Sequence, residues 1–558
     1  MKIDARKRFA CVALIVAGIL MLLVPVVAWA EEIPPGPETS LPDYIGAQAK
    51  AHPTANSGVP QNPLLAPNGF SSCHRDGWNS DVEDVAGPLG RNPAVLSSTL
   101  GDARPDTDSE VFNCSTQYFD SHGRVITVCF NPTQATVVLA DPDTLEVLSY
   151  LPLPRPPGDN PYAGTGRQKV LTAMGGVYSY LDARDRLILV AGGTRIWTLV
   201  VGGSEESPVW ELPEGNIIDL SELVHPEVDG NIAGVMLDDQ ARIWFTTAGL
   251  EGQNPARVYL LNPATSTHPY TDVKYVELDP GEIVRNTFAL TKIEANRSAA
   301  YVVTSQKLYR IDAGPDDQPT KVWWSVPYDT VPDDTNNEQY VNGVKNGQYE
   351  LGSGTSPTIL GEGRYVAITD NAEQMKVVVY RTDERLGPKE KRIVCEVPVF
   401  EDQAGSALSN SLIGTRLSLV ATNNYNYYYD WETAKLVYPS EPGFVRIDID
   451  PNGKGCHEVW YNPKVATTTC PRLSTRTGLL YAVARVMDTS KVDEQHPYGL
   501  DVYYWTALDF RTGEVVWQKM AGTGVLFDSF YPVGGDIGPN GVLYYGAYGG
   551  LMTLRDTR

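Results

Sequence analysis

A β-rich unit that recurs eight times limits the possible folds more than any other feature of this sequence. Each unit has a short opening segment, a strongly apolar strand, a hairpin and an amphipathic strand, with apolar residues alternating at a period of two. Successive units begin about 54 to 69 residues apart, a period typical of propeller repeats and unlike the 3.6-residue periodicity of helical solenoids. The predicted apolar strands are Val125–Phe130, Leu187–Ala191, Ile243–Thr247, Ala300–Thr304, Tyr365–Thr369, Leu417–Ala421, Leu479–Val483 and Val542–Gly546.

These units predict an all-β, eight-bladed β-propeller, in which short sheets arranged around an axis leave few exposed edges. The last unit ends after its third strand, Leu551–Arg555. We expect Ala94–Leu100, near the amino end, to supply the missing outer strand and so to close the ring. A seven-bladed propeller is the alternative, if the first or the last unit is misassigned.

The amino-terminal residues 1–30 are typical of a signal peptide. Basic residues precede the apolar run Phe9–Val27, and Ala28–Ala30 fits a small-x-small cleavage site. The apolar run is long, so an uncleaved anchor is the alternative. We therefore expect a periplasmic or secreted protein with a linker and lead-in over 31–105, which includes the closing strand, and a propeller over 106–558.

The charge balance excludes one class of partner. The formal net charge is -23, and a surface this acidic repels phosphate backbones and anionic membranes. We expect no nucleic-acid partner, no membrane association after cleavage of the signal peptide, and a monomer. The expected partner is a small molecule or another protein.

Six cysteines remain in the mature chain, an even number that suggests disulfides in an exported protein. Cys114 and Cys129 flank a turn centred midway between them, so they would lie opposite each other in a hairpin and form a bridge. Three pairings are open for the other four cysteines. Cys456 and Cys470 are nearest in sequence, but Cys73–Cys470 together with Cys395–Cys456 fits equally.

One hairpin carries a recognisable motif. Ala507-Leu508-Asp509 is followed by Thr512-Gly513 and by Trp517, which resembles the Ala-x-Asp-x-x-Thr-Gly-x-x-x-Trp repeat of the quinoprotein alcohol dehydrogenase-like propellers. Segments around Asp370, Asn410 and Asn423 are also similar to a group of exported bacterial propeller proteins without an assigned activity. The resemblance covers most of residues 110–558 and implies a propeller fold.

The resemblance does not extend to the cofactor chemistry of that family. Its quinone dehydrogenases bind PQQ with a vicinal cysteine pair, a stacking tryptophan and calcium. The sequence has no Cys-Cys pair and no haem-binding Cys-x-x-Cys-His motif. PQQ-dependent oxidation is therefore the least favoured of the functions considered.

Polar residues near the predicted ends of inner strands indicate a site on the channel axis, where propeller ligands usually bind. Asp and Asn oxygens are ligands that calcium prefers, although the same residues also cap strand ends. We predict ligand contacts at His74, Asn286, Thr355, Asn371 and Asn424, and metal ligands at Asp370, Asn410, Asn423 and Asp528.

The sequence favours a binding protein that holds a small molecule or a partner at one face of the channel. The alternative is a calcium-dependent lactonase or hydrolase, in which the ion polarises a carbonyl group; lactonase-type propellers hold an axial calcium in this way, on six blades. No Gly-x-Ser-x-Gly, His-Glu-x-x-His or phosphate-loop motif is present, so the sequence names no catalytic residue.

Overall fold

The computed structural model describes residues 31–558, except for a set of short internal segments. The predicted signal peptide therefore lies outside the described residues. The segments left out are 106–110, 132–133, 156–177, 251–252, 263–272, 295, 314–320, 332–343, 349–350, 431–434, 494–495, 497 and 530–534.

Eight antiparallel sheets form the blades of a β-propeller, which confirms the predicted fold class and the blade number. In most blades the strands pair in chain order from the innermost outwards, and blades 7 and 8 also take in strands from the amino-terminal part of the chain. The apolar second strands are buried along their whole length in most blades, because both of their faces pack against neighbouring blades.

The strand bounds of the first four blades follow the predicted repeats closely. Blade 1 comprises Asn113–Cys114, Tyr118–Phe119, Val125–Phe130, Ala135–Ala140 and Val147–Pro152; blade 2 comprises Tyr180–Leu181, Leu187–Ala191, Arg195–Gly203 and Pro208–Glu211, with Ile217–Asp219 beside its third strand; blade 3 comprises Ile232–Leu237, Ile243–Thr247, Arg257–Leu261 and Lys274–Glu277; blade 4 comprises Ala289–Glu294, Arg297–Val303, Lys307–Ala313 and Lys321–Pro327.

The last four blades carry the additions to the repeat. Blade 5 comprises Thr358–Leu360, Tyr365–Thr369, Lys376–Arg381 and Ile393–Pro398; blade 6 comprises Ile413–Thr415, Ser418–Thr422, Phe444–Ile449 and Cys456–Asn462, with an inserted hairpin, Tyr428–Asp430 and Lys435–Tyr438; blade 7 comprises Arg472–Ser474, Leu479–Asp488, Leu500–Asp509 and Val515–Thr523, flanked by Val82–Glu83 and Tyr44–Gly46; blade 8 comprises Gly535–Ile537, Leu543–Ala547, Gly550–Asp556 and Pro93–Ser98.

Helices are short in the described part of the chain. One α-helical turn spans Pro226–Asp229, and 3-10 turns span Gly101–Ala103, Glu214–Asn216 and Val525–Phe527. Among the described residues, no helix has both the length and the apolar character needed to cross a membrane.

The amino-terminal part of the chain closes the ring as predicted. Pro93–Ser98 pairs antiparallel with the last strand of blade 8, from Pro93 opposite Asp556 to Ser98 opposite Leu551. The Asp556 carboxylate also accepts the backbone N–H groups of Leu89 and Arg91, each at 2.8 Å. The last blade therefore joins the two ends of the described chain.

The motif hairpin lies in the outer half of blade 7. Trp505 and Trp517 are both buried between blades. Gly513 turns the chain with φ of +72°, and a Cβ atom there would collide with Trp460. The backbone N–H of Gly513 donates to the Asp509 carbonyl at 2.8 Å. The motif residues thus serve the turn and the packing of the blade, away from the inner strands.

The described part of the chain contains two disulfides. Cys114 and Cys129 lie directly opposite each other in blade 1 and form the predicted bridge. Cys395 and Cys456 join the outer strands of blades 5 and 6. The two cysteines can bond because outer strands of adjacent blades meet at the rim. Since Cys456 is bonded to Cys395, it does not pair with Cys470, its nearest partner in sequence. Cys470 is instead a buried thiol beside the channel.

Candidate functional site

Residues 71–83 fill the centre of the ring, and we call this segment the plug. Apart from Gly77, every plug residue is buried. Carbonyl oxygens of the plug accept backbone N–H groups from the inner strands of five blades. The pairs are Leu181 to Ser71, Leu290 to Gly77, Ile359 to Trp78, Gly414 to Ser80 and Leu473 to Asp81.

Side chains extend these contacts to blades 1 and 8. Arg75 donates to the carbonyl of Gln117 from both terminal nitrogens at 3.2 Å, and Glu83 accepts the backbone N–H of Ile537 at 2.8 Å. The plug therefore contacts the inner strands of seven blades. The sequence predicts this segment to be part of the lead-in, with a ligand contact at His74. Its composition, Ser-Cys-His-Arg-Asp-Gly-Trp-Asn-Ser-Asp, resembles a polar loop, and only the closed ring buries it.

The plug brings opposite charges together in a buried network. Arg75 contacts Glu83 at 3.1 Å and Asp536 at 3.3 Å, and Arg472 from blade 7 contacts Asp536 at 2.8 Å and also Asp81. Burial raises the pKa of Glu83 to about 8 despite Arg75. Burial also acts to raise the pKa of Asp81, but Arg472 and then His74 hold that pKa down at about 2. Asp81 therefore stays charged beside Arg472.

Three plug residues have left-handed backbone: Arg75 with φ of 75°, Asn79 with 55° and Asp81 with 54°. Residues other than glycine adopt this conformation at a cost, and it persists where the surroundings fix the backbone. Here the hydrogen bonds to the inner strands supply that constraint. The plug is consequently held in one conformation that aims its side chains at the channel wall.

His74 contacts the walls of two blades. Its Nε2 atom lies 3.0 Å from Ser356 Oγ of blade 5, and its Nδ1 atom lies 2.9 Å from Ser411 Oγ of blade 6. Asp81 Oδ1 is 3.3 Å from the same Nδ1 atom. Cys470 Sγ of blade 7 lies 3.3 Å from both Asp81 Oδ2 and Ser411 Oγ. These residues form a compact cluster around the imidazole.

A second cluster lies where the inner strands of blades 6, 7 and 8 begin; we call it the amide cluster, and it comprises Asn410, Asn424, Thr468 and Asp528. Asn410 Nδ2 donates to Asn424 Oδ1 and to the Thr468 carbonyl, each at 3.2 Å. Thr468 Oγ1 donates to Asp528 at 3.0 Å. The structure thus brings together three of the residues predicted from the sequence, with Thr468 as a link that the sequence analysis missed.

The amide cluster retains an open acceptor. Asn410 is 2% exposed, and its Oδ1 atom has no hydrogen-bond partner among the described residues. Asp528 is equally buried, and burial raises its pKa to about 6 although Ser529 and Thr468 donate to it. Buried polar atoms are normally paired with protein or water, so this amide oxygen calls for a donor, which a water molecule or a ligand can supply.

The other predicted metal ligands have local roles. Asp370 Oδ1 accepts the backbone N–H groups of Ala372 and Lys376, at 3.1 and 2.8 Å, and so caps its own hairpin. Asn423, which follows the second strand of blade 6, has a similar role: its Oδ1 accepts the backbone N–H groups of Ala407 and Tyr425. The contacts of the described residues do not join these two side chains to Asp528 as one ligand set.

The remaining predicted ligand contacts are buried bridges. Asn371 exchanges hydrogen bonds with the backbone of Leu408, at 2.8 and 2.9 Å, and so joins blades 5 and 6. Thr355 Oγ1 accepts the N–H of Thr369 within blade 5. Asn286 of blade 4 accepts the Tyr178 hydroxyl at 3.0 Å, close to the His74 ring. Tyr178 thus contacts both Asn286 and the His74 ring.

No family model matches the chain. A protein of Archaeoglobus fulgidus, described as an uncharacterized protein, is 24% identical over 368 residues, which cover 61% of this chain and 63% of that protein. The match therefore spans less than two thirds of the relative's length.

Solved structures similar to this chain are β-propellers. Sqt1 of Chaetomium thermophilum, bound to the N-terminus of the ribosomal protein L10, is 11% identical over 81% of this chain and 98% of its own, with a TM-score of 0.43. Virginiamycin B lyase of Staphylococcus aureus is 8% identical over 83% of this chain and 99% of its own, with a TM-score of 0.34. The Dos1 propeller is 9% identical over 79% of this chain and 78% of its own, with a TM-score of 0.32. At these identities the likeness concerns the fold alone.

Proposed function

We propose that this protein is a ligand-binding propeller that holds a small polar molecule beside the amide cluster. The observation that carries the proposal is the open Oδ1 acceptor of Asn410 in a fully buried, polar wall. Leaving such an acceptor unpaired costs about 1–3 kcal/mol, a cost that a bound donor removes.

The chemistry of the wall selects the class of ligand. Asn410 offers an amide oxygen and Asp528 a carboxyl group, and both accept hydrogen bonds. The net charge of -23 further disfavours anions. A neutral polyhydroxylated molecule or a cationic amine therefore fits better than a phosphate or a carboxylate.

The two disulfides support a place for this binding outside the cytosol, since such bridges persist in oxidising compartments. The predicted export is consistent with that chemistry. Calcium-assisted hydrolysis has less support, because Asp370 and Asn423 already direct oxygens at backbone N–H groups.

Calorimetric titration tests the proposal, with monosaccharides as neutral probes and polyamines as cationic probes. We expect one probe class to bind the wild-type protein, and Asn410→Leu, which keeps the side-chain volume and removes the acceptor, to weaken that binding at least tenfold. Asn452→Ala, in an exposed hairpin, is the matched control and should bind normally. Failure of both probe classes, or equal binding by Asn410→Leu, would overturn the proposal.

A further inference from the structure

We propose that His74, Asp81, Ser411 and Cys470 form a buried zinc site that fastens the plug to blades 6 and 7. His74 and Asp81 come from the plug, Ser411 precedes the inner strand of blade 6, and Cys470 precedes that of blade 7. The site is separate from the amide cluster and goes beyond the proposed ligand binding.

The four ligand atoms lie close together, with spacings at or below those of a tetrahedral zinc shell. His74 Nδ1 and Cys470 Sγ each lie 3.3 Å from Asp81 Oδ2. Ser411 Oγ lies 2.9 Å from His74 Nδ1 and 3.3 Å from Cys470 Sγ, and also contacts Asp81. Zinc bonds of about 2.0–2.3 Å in a tetrahedron place neighbouring ligand atoms about 3.3–3.8 Å apart. The Ser411 side chain must therefore move away from Asp81 and His74 to admit the ion.

The ligand types also suit zinc. One imidazole, one carboxylate and one thiolate make up a nitrogen, oxygen and sulfur set, which zinc accepts and which calcium and magnesium do not. On binding, the Cys470 thiol loses its proton to solvent, and the ion with one thiolate and one carboxylate is then electrically neutral. A neutral centre is the least costly form of a metal site at this depth.

Partners around the ligands have the arrangement found in metal sites. The second imidazole nitrogen of His74, Nε2, contacts Ser356 Oγ at 3.0 Å, which fixes the ring with Nδ1 towards the other ligands. The second carboxylate oxygen of Asp81, Oδ1, contacts Arg472. Such outer contacts orient the ligands of metal sites.

The burial indicates a structural role. His74 is 4% exposed, Asp81 is not exposed, and Cys470 is 2% exposed. His74, Asp81 and Cys470 supply three ligands of the kinds that structural zinc sites use, and the buried Ser411 hydroxyl occupies the fourth position, so no position is left open for a substrate. The ion would cross-link three segments that are far apart in sequence.

Metal analysis of the purified full-length mature protein tests this site. We expect about one zinc per chain after incubation with Zn²⁺ and dialysis, and a thiolate-to-metal absorption band when Co²⁺ replaces zinc. Cys470→Ser should lose both signals. Cys73→Ser is the matched control. Cys73, like Cys470, is a buried cysteine, but its Sγ atom contacts Thr116 and not the proposed zinc ligands.

A measurement on the wild-type protein covers the case in which Cys470→Ser fails to fold. A zinc-selective chelator should lower the melting temperature of the wild-type protein, and added Zn²⁺ should restore it. Absence of zinc after incubation, or equal zinc content and cobalt absorption in Cys470→Ser, would overturn the proposal. Ligand binding at Asn410 is measured separately, so failure of one proposal is distinguishable from failure of the other.

Discussion

Replacement of Trp78 by alanine measures how strongly the plug is built into the ring. The Trp78 side chain is 4% exposed and packs in the apolar cluster that joins blades 4 and 5. Its Nε1–H donates to Thr291 Oγ1 at 2.8 Å, and its carbonyl accepts the N–H of Ile359 at 2.9 Å. Only the packing and the Nε1–H bond are lost in the variant.

The expected loss follows from these contacts. Truncation of a buried tryptophan costs about 3–5 kcal/mol, and the indole hydrogen bond contributes about 1 kcal/mol more. An unfolding entropy of about 2 cal/mol/K per residue gives about 1 kcal/mol/K for a chain of this size, so the melting temperature should fall by about 4–6 °C. Trp78→Phe, which keeps most of the packing, should cost about a third as much.

Scanning calorimetry and hydrogen exchange together provide the assay. Trp323→Ala is the control, because Trp323 lies on the outer strand of blade 4, is only half-buried and packs beneath Lys321; its effect should stay near 1 kcal/mol. In Trp78→Ala the amides of residues 71–83 should exchange together with the global unfolding reaction. An unchanged melting temperature of Trp78→Ala would refute the reasoning, because the plug would then not contribute to the stability of the ring. This holds whether the plug amides remain protected or exchange early.

Two further predictions concern titration and reduction. Burial raises the pKa of Asp528 from 3.8 to about 6, so its contribution to stability is present below pH 4 and is lost as the pH rises through 6. At about 1.4 kcal/mol per pKa unit, the free energy of unfolding of Asp528→Asn should rise by about 3 kcal/mol relative to that of the wild-type protein between pH 4 and pH 7. Urea unfolding of both proteins at both pH values checks this. A difference between the two proteins that does not change with pH would contradict it. Mild reductant should open Cys395–Cys456, which is partly exposed, before the fully buried Cys114–Cys129; mass spectrometry after alkylation gives the order, and the reverse order would contradict the prediction. Opening the 61-residue loop should cost about 4 kcal/mol.

The periodic features of the chain were predictable from the sequence. Strand alternation and turn chemistry are local, so the second strands, the hairpin at Gly513 and the bridge between Cys114 and Cys129 follow from neighbouring residues. Ring closure by Pro93–Ser98 was predictable for a related reason. A propeller with one blade short of a strand has an exposed edge, and the only spare apolar strand near the other end covers it.

The site was predictable only in part. Asn410, Asn424 and Asp528, which were predicted as ligand or metal contacts, share one cluster with Thr468, and their binding role stays a prediction. Asp370 and Asn423 have the same residue types and the same place in the repeat, yet they cap turns. Nothing local separates the two roles, because the direction of a side chain at a strand end depends on the approach of the next blade.

By itself, the sequence determined the number and the order of the blades, because strand period and turn chemistry act between residues that are close along the chain. The tertiary structure alone decided the centre of the molecule. His74 and Asp81 meet Ser411 and Cys470 across more than three hundred residues of chain, and no local pattern records such a meeting. Burial in the closed ring turns a polar loop into the plug, since only there are its charges removed from water and forced to pair.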